Sequence, residues 1–211
     1  MNIIRDQGNK TLCFDQNDYI KALMNKYNIS ELDVKKISTP ASGHESFVSR
    51  KSNIPKAEAD VKDYQALLGE LNWLARGTRP QNYFTTNRLE QNARGLVVRH
   101  MVAANRLIKY SCNTISQRLT FSAPQISKVN RPLPIGYSDA DFARHPSPNS
   151  TTGSLWIFAK TPVTWNLKLQ RTVLTSETEA EYLALLYNTK EALWIANLLF
   201  EISYCKKSHL E

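Results

Sequence analysis

The hydrophobic period of the chain changes near residue 113, and this change limits the folds that the chain can adopt. Over residues 60–112 apolar positions recur every three or four residues, which is the period of amphipathic helices. After Asn113 apolar and polar residues alternate, which is the period of half-buried strands. We therefore predict a mixed α/β protein in two parts, a helical region at 1–122 and a strand-rich unit at 123–211.

Each part has a predicted order of elements. In the first part we predict a hairpin over residues 3–14 that turns at Gly8-Asn9, a helix capped by Asp18, and a linker from Ser38 to about Pro55. Three further helices are predicted at 60–77, 81–92 and 97–112, with a strand at 115–121. In the second part we predict strands at 133–141, 153–159 and 162–168, a short strand near 171–175, and a long helix at 177–202.

The charge of the chain favours a polyanionic partner. Lys and Arg number 27 against 19 Asp and Glu, which gives a formal net charge of +8. Arg99, Arg106 and Lys109 fall near one another on the polar side of the helix at 97–112. This basic cluster predicts either a phosphate-binding surface or an ordinary solvated helix face.

The compartment is predicted from the absence of certain patterns. No apolar run reaches the roughly 18 residues of a membrane span, and the N-terminus lacks the pattern of a signal peptide. Cys13, Cys112 and Cys205 are an odd number without metal-type spacing, which is typical of a reducing environment. We therefore expect a soluble, intracellular protein, cytoplasmic or nuclear and not secreted, that does not associate with membranes.

Two carboxylates end the predicted strand at 133–141. Side chains alternate along a strand, so Asp139 and Asp141 share one face with Tyr137. Buried carboxylates need a cation or hydrogen bonds as compensation, which favours metal ligation. Alternatively, the strand has already reached solvent at Asp139 and the two acids begin a loop.

A second acidic group opens the long helix at 177–202. Its predicted buried stripe consists of apolar positions at helical spacing: Tyr182, Leu185, Leu186, Leu193, Ala196 and Leu199. Glu179 stands at the end of this stripe and is predicted to point toward the sheet, whereas Glu181 points away. The alternative is a capping box, in which Glu179 and Ser176 bond each other's backbone.

Several motifs occur in one order along the chain. They are Ser-Thr-Pro at 38–40, Tyr-Gln-Ala-Leu-Leu-Gly at 64–69, Thr-Arg-Pro at 78–80, Tyr-Ser-Asp-Ala-Asp-Phe-Ala at 137–143, Thr-Thr-Gly-Ser at 151–154 and Thr-Glu-Ala-Glu-Tyr-Leu-Ala-Leu at 178–185. The first three resemble the segment between the reverse transcriptase palm and ribonuclease H of copia-type retrotransposon polyproteins. The last three resemble the ribonuclease H part of the same polyproteins.

This resemblance implies a ribonuclease H-like fold, a mixed sheet with helices, that hydrolyses RNA in RNA/DNA hybrids with two Mg²⁺ ions. Asp139 would correspond to the first-strand carboxylate and Glu179 to the first-helix carboxylate, and Asp141 would support them as a further metal ligand. The expected partner is nucleic acid, specifically an RNA/DNA hybrid.

The resemblance also implies a third carboxylate on the strand that follows the helix, and the 211 residues do not contain it. We therefore expect this chain to cleave weakly or not at all. An open sheet edge would favour self-association or pairing with the rest of a polyprotein. The alternative function is a non-catalytic protein that binds nucleic acid or interferes with assembly.

Overall fold

The computed structural model describes residues 1–30, 34, 37–43, 58–93, 98–123, 132–142 and 148–204. The chain forms two compact units, Met1–Ser122 and Ala123–Glu211. Helices and strands occur in both, so the predicted mixed α/β class is confirmed. Most of the linker predicted at 38–55 lies outside the described residues, as does Cys205, whereas Cys13 and Cys112 are free thiols.

The first unit combines four helices and a small antiparallel sheet within its described residues. The elements are β1 (Asn2–Asp6), β2 (Thr11–Asp15), α1 (Asn17–Lys26), α2 (Glu58–Gly77), α3 (Pro80–Glu90), α4 (Val98–Asn113) and β3 (Leu119–Ser122). The strands lie in the order β1-β2-β3, with Ile3 opposite Phe14 and Leu12 opposite Phe121. The predicted hairpin and helices are therefore confirmed, while the predicted strand at 115–121 is shorter and begins at Leu119. The predicted cap by Asp18 is wrong, because α1 begins at Asn17 and Asp18 lies in its first turn, where it accepts a hydrogen bond from Asn2.

The core of this unit lies between the helices. Tyr64, Leu71 and Leu74 of α2 are fully buried together with Leu107 and Ile108 of α4. Each of these positions lies on the apolar stripe that the sequence predicts for its helix. Met101 of α4 packs at the margin of this core and is partly exposed.

The second unit is a three-stranded antiparallel sheet with one long helix, within its described residues. Its elements are β4 (Ile135–Asp141), β5 (Thr151–Phe158), β6 (Thr161–Leu169) and α5 (Glu177–Glu201), and the strand order is β4-β5-β6. The mixed sheet implied by the resemblance would need a parallel pair, and every strand pair that the structure describes here is antiparallel.

The short strand predicted near 171–175 is wrong, because these residues are irregular. Leu174 packs beside Ala140, Ala180 and Ala184, and the backbone N–H of Thr175 donates to the Glu179 carboxylate. The segment therefore serves as the entry to α5 and not as a fourth strand.

Helix α5 packs on the sheet through a different stripe from the predicted one. Its buried residues are Ala180, Ala184, Asn188, Ile195 and Leu199. Of the predicted stripe, Leu199 is buried, whereas Tyr182, Leu185, Leu186 and Leu193 are exposed. Small alanine side chains let the start of the helix approach β4 closely, which explains why this face and not the bulkier one is turned inward. No helix among the described residues is long and apolar enough to cross a membrane.

Candidate active site

Asp139 and Asp141 lie on the face of the sheet that is turned away from α5. The neighbouring Ala140 packs on Ala180 and Ala184, so strand alternation directs Asp139 to the opposite face. Asp139 is exposed, as is Tyr137 on the same face. Asp139 has therefore reached solvent, but the two acids do not begin a loop, since both are strand residues that pair with Gly153 and Thr151 of β5.

Glu179 forms the capping box of α5. Its carboxylate accepts hydrogen bonds from the backbone N–H and the hydroxyl of Thr175, at 2.9 and 3.1 Å. Its own backbone N–H donates to Ser176 Oγ at 3.2 Å. The hydrogen bond from the Thr175 backbone is the main cause that lowers the pKa of Glu179 below its ordinary value. The prediction that Glu179 points toward the sheet is therefore wrong. The capping alternative is confirmed for Ser176, which caps the helix, whereas the Glu179 carboxylate bonds Thr175 and not the Ser176 backbone as the alternative had it.

Glu181 is the helix carboxylate that reaches the sheet. Its Oε1 accepts a hydrogen bond of 3.2 Å from the backbone N–H of Ala140 on β4. The nitrogen of Ala140 belongs to the peptide that joins it to Asp139, so the Glu181 carboxylate is held one peptide group from Asp139. The prediction that Glu181 points away is wrong. The sequence contained a signal for this orientation of Glu181. Ala180 and Ala184 form a stripe of small residues that can pack closely on the sheet, and Glu181 directly follows Ala180.

Polar contacts that the sequence did not reveal fix α5 against β5. Ser154 Oγ donates to Asn188 Oδ1 at 2.8 Å, and both residues are buried. Gln170 Nε2 donates to Thr152 Oγ1 and to the Ala180 carbonyl, at 3.0 Å each. These bonds set the axial position of the helix, and thereby the place where Glu181 meets β4. The polar positions Thr152 and Ser154 on a buried strand face are the sequence signal for them.

Carboxylates are a suitable type of ligand for Mg²⁺, but too few of them lie together among the described residues. Mg²⁺ prefers oxygen ligands in an octahedral arrangement, and carboxylates are the usual protein contribution. Among the described residues there is no group of three or more His, Cys, Asp or Glu placed to hold a metal ion. The described residues do not by themselves fit a two-ion site, and metal ligation by Asp139, Asp141 and Glu179 stays a prediction.

The basic cluster on α4 is partly engaged within the first unit. Arg99, Arg106 and Lys109 are all partly buried, and Arg106 Nη2 donates to Thr39 Oγ1 at 2.9 Å. Val98 and Val102 of the same helix are exposed. The predicted role of this face in binding phosphates is not changed by these contacts, and it stays a prediction.

Comparison with known proteins identifies Pol polyproteins of transposons among the relatives of the chain. The chain is 27% identical over 219 residues to the Retrovirus-related Pol polyprotein from transposon TNT 1-94 of Nicotiana tabacum, a match that covers 100% of this chain and 16% of that protein. It is 30% identical over 193 residues to the Pol polyprotein from transposon RE2 of Arabidopsis thaliana, covering 90% of this chain and 12% of that protein.

A shorter relative is the Secreted RxLR effector protein 161 of Plasmopara viticola, which is 35% identical over 133 residues, or 63% of this chain and 90% of that protein. No protein-family model and no solved structure matches the chain. The matched region spans less than a fifth of each of the two Pol polyproteins. The order of motifs along the chain agrees with these matches, and the chain is homologous to a segment of retrovirus-related Pol polyproteins from copia-type transposons.

Proposed function

We propose that this chain corresponds to the reverse transcriptase connection region and the first half of ribonuclease H in a copia-type Pol polyprotein. The ancestral reaction is hydrolysis of RNA in RNA/DNA hybrids. Homology to the Pol polyproteins supports the proposal, together with a second unit in which an acidic strand end meets a glutamate from a long helix.

The observation that carries the site is the hydrogen bond between Glu181 and the Ala140 backbone. It brings one carboxylate from α5 to the edge of β4, at the peptide that joins Asp139 to Ala140. The Asp139 side chain itself is directed to the other face of the sheet, so an ion shared by the two carboxylates would lie at the outer edge of β4. The Glu179 carboxylate already accepts a hydrogen bond from Thr175, and its backbone N–H donates to Ser176, so Glu179 stabilises the start of the helix. We therefore assign the pair to Asp139 and Glu181, with Glu179 in a structural role.

A bound divalent cation would supply the activation of water and the stabilisation of the leaving oxygen. Asp139 and Glu181 would be its protein ligands in this chain, and both are hard oxygen donors. Because the described residues add no third acidic ligand to this pair, cleavage by residues 1–211 alone should be slow.

The test measures magnesium-dependent cleavage of a labelled RNA/DNA hybrid. Residues 1–211 should cut at trace rates, and fusion to the segment that follows the matched region in a copia Pol relative should raise the rate. In the fusion, Asp139→Asn and Glu181→Gln should each abolish cleavage. Glu179→Gln removes a neighbouring charge from the same helix turn and should keep most of the activity.

Two results would overturn the assignment. Cleavage that is lost in Glu179→Gln and kept in Glu181→Gln would return the catalytic role to Glu179. Robust cleavage by residues 1–211, lost in Asp139→Asn, would show that the described carboxylates suffice without a further ligand.

A further inference from the structure

Helix α5 has a second apolar face opposite the one that packs on the sheet. Its exposed side chains include Tyr182 at 68%, Leu186 at 52%, Leu193 at 62% and Phe200 at 48%. A helix that is apolar on both sides is usually covered on both sides. The described residues provide the sheet for one side and leave these four large side chains in contact with solvent.

The exposed face has the spacing of a helix-pairing surface. Its positions follow one another at alternating steps of four and three residues, and we call them the outer stripe: Tyr182, Leu186, Thr189, Leu193, Ala196 and Phe200. Alternating steps of four and three residues are the spacing of coiled-coil seams and suit a second helix running alongside. The outer stripe extends over roughly 27 Å of helix at 1.5 Å per residue.

The outer stripe is complementary to itself when a second copy runs in the opposite direction. When Tyr182 of one copy is placed opposite Phe200 of the other, Leu186 faces Ala196 and Leu193 faces Thr189. Each leucine then meets a smaller side chain. The third pair, Tyr182 and Phe200, is aromatic. The Thr189 hydroxyl already donates to the Leu185 carbonyl at 2.9 Å, so its burial leaves no unpaired donor.

We propose that two copies of this chain associate through the outer stripe, as an antiparallel pair of α5 helices related by a two-fold axis. The same patch serves both copies, as a two-fold interface requires. Antiparallel helices also place opposite ends of their macrodipoles together. No charged residue lies in the outer stripe, so contact does not require burial of a charge.

The test measures the mass of the chain by sedimentation over a dilution series from micromolar to submillimolar concentration. The unchanged protein should form a dimer, and the double variant Leu186→Glu/Leu193→Glu should remain a monomer with the same circular dichroism. Trp194→Glu is the matched control. Trp194 is an apolar neighbour, 58% exposed, that lies roughly 100° around the helix from Leu193, and its variant should still dimerise.

Orientation is tested by cross-linking. Thr189→Cys and Leu193→Cys are made as separate variants, mixed and oxidised, with the parent chain as the control for native thiols. The antiparallel register predicts a disulfide between the two different variants, whereas a parallel pair would link each variant to itself.

The association should also resist salt and nuclease treatment. Each copy carries a formal net charge of +8, so added salt weakens the repulsion between copies and should not dissociate them. A monomer at every concentration would overturn the proposal, as would a dimer that survives Leu186→Glu/Leu193→Glu. Dissociation by nuclease would show that nucleic acid bridges the copies and would also overturn it.

Discussion

Glu181 on α5 accepts a hydrogen bond from the backbone N–H of Ala140 on β4, over a donor–acceptor distance of 3.2 Å. β4 is the outer strand of the described sheet, so this bond gives a partner to a backbone donor at the sheet edge. The same bond brings the Glu181 carboxylate to the peptide that follows Asp139. This one hydrogen bond therefore stabilises the edge of the sheet and also positions a carboxylate of the candidate site.

Replacement of Glu181 by Ala should destabilise the protein by about 1 kcal/mol, because the Ala140 N–H loses its acceptor. Glu181→Gln keeps an oxygen acceptor and should cost clearly less. Chemical denaturation of both variants, followed by circular dichroism, measures the difference in the free energy of unfolding. Equal losses in the two variants would show that this hydrogen bond contributes nothing.

Gly77 lies against the amide end of the Gln16 side chain. A Cβ at position 77 would lie 2.5 Å from Gln16 Oε1, which accepts a hydrogen bond from Thr78 Oγ1 in the buried interior. Gly77→Ala should therefore cost about 1 to 3 kcal/mol through overpacking and loss of that bond. At Gly69, in the same helix, an added Cβ would have no contact within 4 Å. Gly69→Ala should stabilise by up to about 1 kcal/mol through helix propensity. Thermal unfolding compares the two variants, and similar shifts in Tm would contradict the steric role of Gln16.

Arg79 joins the start of α3 to the end of α4. Its guanidinium is fully buried and donates to the carbonyls of Thr114 and Ile115, at 2.6 and 3.1 Å. Arg79→Lys should cost about 2 to 3 kcal/mol, since one ammonium cannot reproduce the fork that spans both carbonyls. The exposed Arg76 serves as control, and Arg76→Lys should change stability by less than about 0.5 kcal/mol. Denaturant titration checks both, and an unaffected Arg79→Lys would contradict the proposed bridging role.

The capping box of α5 should make stability depend on pH. Because hydrogen bonds from Thr175 lower the pKa of Glu179 below 4.5, the folded state favours its ionised form. The contribution of Glu179 is complete above the pKa of the unfolded chain and is lost as pH falls through the lower, folded pKa. Glu179→Gln should reduce the slope of stability against pH below about pH 5. Glu177→Gln removes a charge from the same turn, and an identical change in slope for both variants would count against the cap.

We expect RNA/DNA hybrid binding by the chain to be electrostatic and independent of base sequence. Arg99 and Lys109 can reach phosphates, and binding should weaken at least tenfold between about 50 and 200 mM salt. Arg99→Ala/Lys109→Ala should weaken it further, as measured by fluorescence anisotropy. Arg106→Ala is a further variant of the same cluster, in which the hydrogen bond from Arg106 to Thr39 is also lost. Binding that does not change with salt would exclude this surface.

Much of the architecture could be predicted because local pattern and burial agree. The turn at Gly8-Asn9 and the helices of the first unit follow from turn chemistry and from apolar stripes that face one core. The change of period after Asn113 marks the region where the first unit ends at Ser122. These features depend on residues close together in sequence, and long-range packing reinforced them.

The sequence alone determined three strands and the long helix of the second unit and the existence of two acidic groups, but only the tertiary structure decided which glutamate faces the strand. Helix α5 is apolar on both sides, so its periodicity favoured the bulky stripe of Tyr182 and Leu186 as much as the small stripe of Ala180 and Ala184. Close packing against β4, together with the buried bond between Ser154 and Asn188, selects the small stripe. That rotation turns Glu181 toward Ala140 and leaves Glu179 to cap the helix, a choice made by contacts between residues about forty positions apart.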